Sequence, residues 1–442
     1  MPNSTLHSRR PPGPRSQAPK SIRSLDLRLS PEQALAAWPH DQPLAALSSS
    51  GESPHARWSI LARPRSSSAF NPVTPRHASD ILHELLDTGT PPDDDGPPFR
   101  GGRILALSYD LGRVLEPASG SAPFPLDTFH IHAFECDDAL IYDHAEAKWW
   151  ALGEPPALDA DQGVGAFTLS PFIPEQSAEQ YKDAVARIIE YIRAGDVYQV
   201  NLAHRLTAGF SGSPRAFYQS LLRAAGPWYG AYLETADGIV ASASPELFLA
   251  YDPATRTLTT RPMKGTRPYA HAADLERSDK DAAELNMITD LMRNDLGRVS
   301  ELGSVRVQTA RAMERHNTLA QTTSTVTGTL RRGMTLADAL GAAFPGGSIT
   351  GCPKIRAMQI IDELESAPRA FYCGAIGYVS RSGHAAFNIA IRTAVIRGRT
   401  LRYAVGAGIT IDSDPEAEYQ ETLDKAGILH RLEPPHPARL RS

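Results

Sequence analysis

Two pairs of acidic residues have the spacing of a metal-binding helix face. Asp281 and Glu284 lie three residues apart in one helical segment, and Glu418 and Glu421 repeat this spacing in another. Residues three apart share one face of a helix, so each pair could offer carboxylate oxygens to a hard cation such as Mg²⁺. Acidic pairs are also common on solvated helix surfaces, and the spacing leaves that alternative open.

A lysine and a glutamate have side chains that could act on a substrate. Lys264 lies between Met263 and Gly265 after a threonine-rich strand, and Glu246 ends the segment 242–246. A lysine amine shielded from water near a metal loses its proton more readily and becomes a nucleophile, and a carboxyl group can act as a general acid. The alternatives are a solvated lysine at a strand end and a carboxylate at a strand edge.

Two glycine-rich loops and one arginine favour a ligand that carries carboxylates. The loop 345–354 runs directly into a helix at 355–364, whose first N–H groups are free to bind an anion. In the segment 405–409, Gly406 and Gly408 lack Cβ atoms, so backbone could approach a ligand closely. Arg392 lies within an apolar run, 387–396, that predicts a strand, and a buried guanidinium needs an anionic partner. Each loop alone could equally be an ordinary turn.

The surrounding chain predicts an α+β fold. Ser177 caps an amphipathic helix over 178–193, and a strand follows over 197–204. Short apolar runs at 57–62 and 102–109 are typical of strands. From the strand at 197–204 to residue 427, helices alternate with strands, several of which are near-continuously apolar, and this indicates a large core of layered sheets. Neither a GxGxxG motif after a strand nor a GxxxxGK[ST] motif occurs, so the pattern does not favour a nucleotide-binding fold.

Four segments are predicted along the chain. Pro/Ser-rich residues 1–24 carry basic but no acidic side chains and form a disordered tail, with an organelle transit peptide as the alternative. Residues 25–165 form a β-rich region, with an acidic surface loop at 91–98, and 166–432 form the catalytic region. Residues 433–442 form a second tail.

Composition excludes several classes of function. The 442 residues carry a formal net charge of −5 and show no basic, aromatic-interleaved stripe, so nucleic acid is not expected as a partner. No apolar run approaches the roughly 20 residues that span a bilayer. The three cysteines lack metal or redox spacing and are odd in number, which predicts reduced thiols in a cytoplasmic protein.

Several long motifs, in series, resemble those of the chorismate-utilising enzymes. The resemblance is strong over about 170–430, and weaker N-terminal segments resemble the aminating members of that family. It implies a large layered antiparallel β-sheet core with surrounding helices. The segments that carry it are Ser244-Pro245-Glu246, Pro262-Met263-Lys264-Gly265-Thr266-Arg267-Pro268, 290–299, 345–363 and 406–422.

The resemblance implies a role for each matching position. Glu284 and Glu421 match Mg²⁺ ligands, with Asp281 and Glu418 acting through water. Glu246 matches the acid that protonates the departing C4 hydroxyl. Gly265 and Thr266 are the implied contacts beside the chorismate ring. Tyr378 and Arg392 are implied to bind the enolpyruvyl carboxylate. The backbone of Gly406, Ala407 and Gly408 is implied to contact the substrate as well.

Three positions distinguish the reactions within the family. Water-adding members have a base lysine where this chain has Gln199. Anthranilate-forming members usually have alanine where this chain has Lys264, and histidine where it has Gln321. The chain is therefore similar to the branch that aminates chorismate at C4, in which Lys264 would attack C2 while Glu246 protonates the leaving hydroxyl. The product implied is 4-amino-4-deoxychorismate, a precursor of 4-aminobenzoate and folate.

Ammonia is expected from another protein. The chain has no Gly-x-Cys-x-Gly turn around its cysteines, so a separate glutamine amidotransferase subunit is predicted as the partner. The nearest alternative is the anthranilate-forming branch of the same family. A catalytically silent chorismate-binding subunit is a third reading, which would require the loss of a core residue.

Overall fold

A computed structural model describes residues 20–51, 53–87, 89, 96–120, 128–316 and 319–432. Its helices are α1 Pro31–Ala36, α2 Pro75–Leu85, α3 Leu111–Leu115, α4 Ala178–Arg193, α5 Pro214–Ala225, α6 Ala272–Arg277, α7 Asp279–Gly297, α8 Leu336–Ala343, α9 Lys354–Leu364 and α10 Pro415–Ala426.

The strands of the described residues carry the numbers β1 to β21. They are β1 Ile22–Leu25, β2 Ala45–Ser48, β3 Trp58–Phe70, β4 Gly102–Leu107, β5 Ile131–Asp143, β6 Lys148–Leu152, β7 Phe167–Leu169, β8 Ile173–Pro174, β9 Gln199–Gly212, β10 Tyr229–Thr235, β11 Gly238–Ser244, β12 Leu247–Asp252, β13 Thr257–Arg261, β14 Met263–Pro268, β15 Arg306–His316, β16 Leu319–Thr329, β17 Gly351–Cys352, β18 Ala375–Ser380, β19 Ala385–Ile389, β20 Thr393–Arg397 and β21 Thr400–Ile409.

The strands pair antiparallel in two long series that meet at β3 and β5. One series runs β3–β2–β10–β11–β20–β21–β9, and the other runs β5–β4–β18–β19–β12–β13–β16. Strands β14 and β15 both pair with β16. This confirms the predicted α+β fold with a large antiparallel sheet core and surrounding helices.

The predicted β-rich region and the catalytic region share one sheet network. Strand β2 pairs with β10, and β4 pairs with β18, so strands from before residue 165 are neighbours of strands from after it. The basic tail predicted for 1–24 ends too late, because Ile22–Leu25 forms β1 and pairs with β6. Residues 1–19, the tip of the predicted acidic loop at 91–95, and the tail 433–442 lie outside the described residues.

Helix α7 is anchored by its apolar face. Ile288 and Met292 are buried in the same cluster as Phe248 of β12 and Ile349, and Leu285 is also fully buried. The spacing of 285, 288 and 292 follows the helical repeat, so these side chains lie on one stripe. Complete burial of a side chain of this size stabilises the fold by roughly 1.5–3 kcal/mol. The acidic residues near the start of α7 are therefore held at fixed positions relative to β12.

One predicted strand is wrong. The apolar run 387–396 forms the end of β19 and most of β20, with a break at 390–392. Strand β19 pairs with β12 and β18, whereas β20 pairs with β11 and β21, so the run crosses from one series of strands to the other. Arg392 lies in the break with a φ of 49°, a left-handed conformation that is uncommon outside glycine.

No helix in the described part of the chain is long and apolar enough to cross a membrane. The cytoplasmic location stays a prediction.

Candidate active site

Local capping sets the positions of the two acidic faces. The Ser278 hydroxyl caps α7 by accepting a hydrogen bond from the Asp281 N–H at 3.1 Å, and Asp414 caps α10 by accepting from Ala417 N–H at 2.9 Å. Glu284 follows one turn after Asp281. Glu418 and Glu421 occupy the corresponding face of α10. The predicted helical setting of both acidic pairs is confirmed.

The acidic faces of α7 and α10 approach each other across one cleft. Lys280 Nζ of α7 lies 4.0 Å from Glu418 Oε1 of α10. Burial raises the pKa of Glu284, and the negative charges of Asp281 and Glu421 act in the same direction. Burial also raises the pKa of Glu418, again with a contribution from Glu421. Carboxylates that oppose each other's ionisation form a site that a divalent cation would stabilise.

The fourth carboxylate of the cleft already has a cationic partner. Burial acts to raise the pKa of Glu421, but its ion pair with Lys425, 2.7 Å from Nζ to Oε1, keeps that pKa below the ordinary value. Lys425 also donates to the carbonyl oxygen of Gly406 at 2.9 Å. The lysine therefore joins α10 to β21 beside the acidic faces.

The carboxylates of the cleft supply the oxygen donors that Mg²⁺ prefers. In residues 20–432, apart from the gaps given above, no three His, Cys, Asp or Glu side chains converge closely enough to hold a metal ion unaided. Mg²⁺ is commonly held by one or two carboxylates and completes its octahedron with waters and substrate oxygens. Glu284 and Glu421, one from each helix, fit that pattern.

Lys264 faces the cleft from β14. Its Nζ lies 3.5 Å from the carbonyl oxygen of Ser348, and a Cβ placed on Gly408 would lie 3.3 Å from it. Burial lowers the pKa of Lys264, and the positive charge of Lys425 acts in the same direction, against the negative charges of Glu284 and Glu246. A lowered pKa increases the fraction of neutral amine, which is the nucleophilic form.

Glu246 is buried immediately before β12, with 4% of its surface exposed. The Ser348 hydroxyl donates to its Oε1 at 2.5 Å. Burial raises the pKa of Glu246 to about 7, although the Ser348 hydrogen bond and the positive charge of Lys264 act to lower it. A carboxyl group that titrates near neutral pH is suited to general acid catalysis.

Because Gly406 and Gly408 of β21 lack Cβ atoms, side chains from other parts of the chain lie directly against the backbone of this strand. A Cβ on Gly408 would lie 2.2 Å from Gln199 Nε2, and one on Gly406 would lie 3.1 Å from the Tyr372 hydroxyl. Ala407, between them, faces away and packs into the cluster of α4, α9 and β9. Its backbone alone could contact a ligand on the cleft side.

Gln199 is an unpartnered polar group in this cleft. The residue is 1% exposed, and neither its amide oxygen nor its amide nitrogen has a hydrogen-bond partner among the described residues. Leaving a buried amide unpaired costs free energy comparable to a lost hydrogen bond. The Gln199 amide is therefore available to a small polar ligand beside Lys264.

Arg392 has the environment of an anion-binding residue. Within the described part of the chain, no carboxylate lies within ion-pair distance of its guanidinium. Desolvation of the part-buried side chain lowers the pKa of Arg392, and its electrostatic interaction with the Tyr403 hydroxyl opposes this shift. A part-buried guanidinium with no acidic partner is costly unless a ligand supplies the negative charge.

Tyr378 packs against an apolar cluster, and its role in holding the enolpyruvyl carboxylate stays a prediction. It lies on β18 opposite Ile104, and its ring packs edge-on against Phe99 with centroids 5.6 Å apart. A different tyrosine, Tyr372, has its hydroxyl beside Gly406.

The remaining predicted contacts lie on β14. Thr266 accepts a hydrogen bond at 2.9 Å from Nε2 of Gln321, its cross-strand neighbour on β16. Gly265 has a φ of 68°, and a Cβ there would lie 2.5 Å from Leu275 Cδ1 and 2.9 Å from Asp281 Oδ1. Glycine is therefore required for β14 to pass this close to α7.

Three cleft residues were not among the predicted site residues. Lys425 stands four residues after Glu421, and this spacing on a helix is a signal that could have identified the pair. Ser348 and Tyr372 reach the cleft through contacts with residues distant in sequence, so no local pattern indicates them. Gln199 was singled out by the resemblance, as the position where water-adding members have lysine.

A buried ion pair holds the loop that carries Ser348. Arg369 donates to Glu365 Oε1 at 2.6 Å, to the Ile349 carbonyl oxygen at 2.7 Å and to the Asn201 carbonyl oxygen at 2.6 Å. We expect Arg369→Met to lower the free energy of unfolding by about 3–5 kcal/mol, because it leaves a buried carboxylate unpaired. Urea denaturation measures this loss. The double variant Arg369→Met, Glu365→Leu should recover part of the stability, and a loss below about 1 kcal/mol in the single variant would contradict the prediction.

Comparisons with known proteins identify the family. Residues 47–431 match the family model of the chorismate binding enzymes. The chain is 40% identical over 433 residues to aminodeoxychorismate synthase component 1 of Klebsiella aerogenes, with 89% of this chain and 94% of that protein covered. It is 36% identical over 339 residues to anthranilate synthase component 1 of Saccharolobus solfataricus, covering 75% and 80%. The crystal structure of anthranilate synthase component I from Streptococcus pneumoniae matches with a TM-score of 0.74 at 31% identity, covering 85% and 92%. The resemblance is confirmed, and the chain is an enzyme of the chorismate-binding family.

Proposed function

We propose that this enzyme aminates chorismate at C4 and forms 4-amino-4-deoxychorismate for the synthesis of 4-aminobenzoate and folate. The observation that carries the proposal is the position of Lys264: its amine is part-buried beside Gly408 and has a lowered pKa. The similarity to aminodeoxychorismate synthase component 1 supports the same reaction.

In the proposed first step, Lys264 forms a bond with C2 of chorismate. The neutral amine donates its electron pair to C2, both ring double bonds shift by one position, and the C4–O bond breaks. Glu246 gives its proton to the leaving hydroxyl, which departs as water. Its pKa of about 7 leaves a large protonated fraction at neutral pH, so the acid is available when the bond breaks.

In the second step, ammonia forms a bond with C4 and the bond between C2 and Lys264 breaks. The incoming nitrogen loses a proton, which can restore the acid form of Glu246. Gln199 supports this step, because its unpartnered amide lies beside Lys264 and can accept a hydrogen bond from ammonia. At position 199 the water-adding members of the family have a lysine that activates water, whereas this chain has the neutral side chain of Gln199.

The carboxylates of chorismate have two proposed binding regions. The Arg392 guanidinium has no acidic protein partner among the described residues and would bind the enolpyruvyl carboxylate in a forked pair. Tyr378 is the proposed second contact of that carboxylate, and Tyr372, whose hydroxyl lies beside Gly406, is a further candidate. Backbone groups of 406–408, with Gly265 and Thr266 on the other side, would complete the cleft around the ring.

Mg²⁺ is the proposed cofactor. Glu284 and Glu421 would hold it, with Asp281 and Glu418 acting through water. When bound, Mg²⁺ would neutralise the ring carboxylate and make the ring more electrophilic.

Loss of either proposed metal ligand should weaken the Mg²⁺ dependence of the reaction. We expect Glu284→Gln and Glu421→Gln each to raise the Mg²⁺ concentration for half-maximal rate by at least about 10-fold, the lower end of the effect of altered outer-shell partners. Glu416→Gln is the matched control, since Glu416 lies on the same helix but pairs with Lys182 at the surface, 3.1 Å away. An unchanged Mg²⁺ requirement in both ligand variants would rule out this metal site.

The proposed ammonia source is a separate glutamine amidotransferase subunit. The name component 1, carried by relatives of both reaction types, supports a second component for this chain as well. Free ammonium at high concentration should replace that partner in the assay.

Formation of anthranilate is the second candidate function, favoured by the similarity to anthranilate synthases. Gln321 and Lys264 argue against it, because the anthranilate-forming members usually have histidine and alanine at these positions. Incubation with chorismate, Mg²⁺ and ammonium, followed by fluorescence, separates the two. We expect chorismate to be consumed with no anthranilate fluorescence, whereas strong fluorescence would show that the proposed function is wrong.

A further inference from the structure

Ser348 contacts both of the side chains to which the proposed reaction assigns chemistry. Its hydroxyl donates to Glu246 Oε1 at 2.5 Å, and its carbonyl oxygen lies 3.5 Å from Lys264 Nζ. We propose that Ser348 is a positioning residue, which holds the Glu246 carboxyl in one orientation and at a fixed separation from the Lys264 amine. The inference rests on the proposed function, in which these two groups are the acid and the nucleophile.

The loop that carries Ser348 is held on several sides. A Cβ on Gly347 would lie 2.5 Å from Leu291 Cδ2 and 2.6 Å from Met292 Cε, so the loop lies directly on α7. The Thr350 hydroxyl donates to the Gly346 carbonyl oxygen at 2.9 Å. With the Ile349 carbonyl oxygen bound by Arg369, the backbone around Ser348 has little freedom to move.

The environment of Glu246 offers few alternatives to Ser348. The titratable groups that face it are Lys264 on β14 and the Cys373 thiol, whose pKa burial raises to about 12, so that thiol is neutral. The backbone of Met263 supplies one further hydrogen bond. Ser348 is thus the side-chain hydroxyl that restricts rotation of the carboxyl group, and a rotated carboxyl would direct its proton away from the substrate.

Removal of the Ser348 hydroxyl should raise the pKa of Glu246. The Ser348 hydrogen bond favours the ionised form of Glu246, so its loss must raise the pKa of that carboxyl. In Ser348→Ala we expect about a 10-fold shift of the protonation equilibrium, or one pKa unit, towards the acid form. The fall of rate above neutral pH should move to higher pH by the same amount, while the maximal rate drops about 10-fold or more.

Two variants separate this role from a structural one. Ser348→Thr keeps a hydroxyl at the same place and should restore both the pH profile and most of the rate. Thr350→Val removes the hydroxyl from the same loop without touching Glu246, so it should leave the pKa of Glu246 unchanged. If Ser348 only stabilised the loop, Ser348→Ala and Thr350→Val would both lower the rate. The pH at which the rate falls would then be the same in both variants as in the wild type.

The closing experiment is an infrared pH titration of the carboxyl group in the enzyme without substrate, combined with pH–rate profiles. The signal of Glu246 is assigned by its loss in Glu246→Gln. A raised pKa in Ser348→Ala, normal in Ser348→Thr and Thr350→Val, supports the positioning role. If Ser348→Ala changes neither the pKa of Glu246 nor the pH at which the rate falls, the positioning role is wrong. The titration needs no turnover, so failure of the wild-type enzyme to aminate chorismate would refute the proposed function and leave this test intact.

Discussion

Replacement of Lys264 by alanine is expected to lower the rate of C4 amination by about 10³-fold or more, equivalent to roughly 4 kcal/mol of transition-state stabilisation. The reason is the loss of the nucleophile, since no other amine in the described residues is placed beside both Gly408 and Ser348. Steady-state rates with saturating ammonium and Mg²⁺ measure the effect.

Two controls accompany the Lys264 variant. Lys264→Arg keeps a positive charge but carries a guanidinium that does not lose its proton, so it should be nearly as slow as Lys264→Ala. Lys182→Ala removes a lysine that pairs with Glu416 at the surface and should leave the rate unchanged. If Lys264→Ala retains a rate within 10-fold of the wild type, the covalent role is wrong.

Replacement of Glu246 by glutamine is the second change with a large expected effect. The variant keeps the size of the side chain but has no acidic proton, so the rate should fall by about 10²–10⁴-fold. The pH dependence should change as well. In the wild type the acid must be protonated, and activity should decline as pH rises through the pKa of about 7.

The pH profile makes the Glu246 test specific. Glu246→Gln should lack the decline near pH 7, because the group that titrates is gone. Glu246→Asp retains an acid on a shorter side chain and should keep a decline, with a rate between those of the wild type and the glutamine variant. A glutamine variant that still shows the same decline near pH 7 would assign that titration to another group.

The sequence predicted the elements whose signals are local. Ser177 and the periodic apolar residues of α4 gave a helix with the bounds that the structure has, Ala178–Arg193. The acidic spacing likewise indicated the shared faces of α7 and α10. These patterns depend on neighbours within one or two turns, which a sequence displays directly.

Features that depend on distant partners were predicted less well. The run 387–396 is apolar throughout because both of its halves are buried, and apolar periodicity cannot indicate that the halves pair with different strands around Arg392. The Tyr372 hydroxyl lies beside Gly406, which is far away in the chain, so no local pattern indicates this approach. Ser348 lies in a loop predicted to bind an anion, and the hydrogen bond from its hydroxyl to Glu246, 102 residues away, has no local signal.

The most direct test of C4 amination is the position of nitrogen in the product formed from chorismate and ¹⁵N-labelled ammonium with Mg²⁺. Nuclear magnetic resonance of the isolated product locates the label on the ring. We predict ¹⁵N bound to C4 of a product that retains its enolpyruvyl group. Label at C2, or an aromatic product that has lost pyruvate, would contradict the proposed reaction.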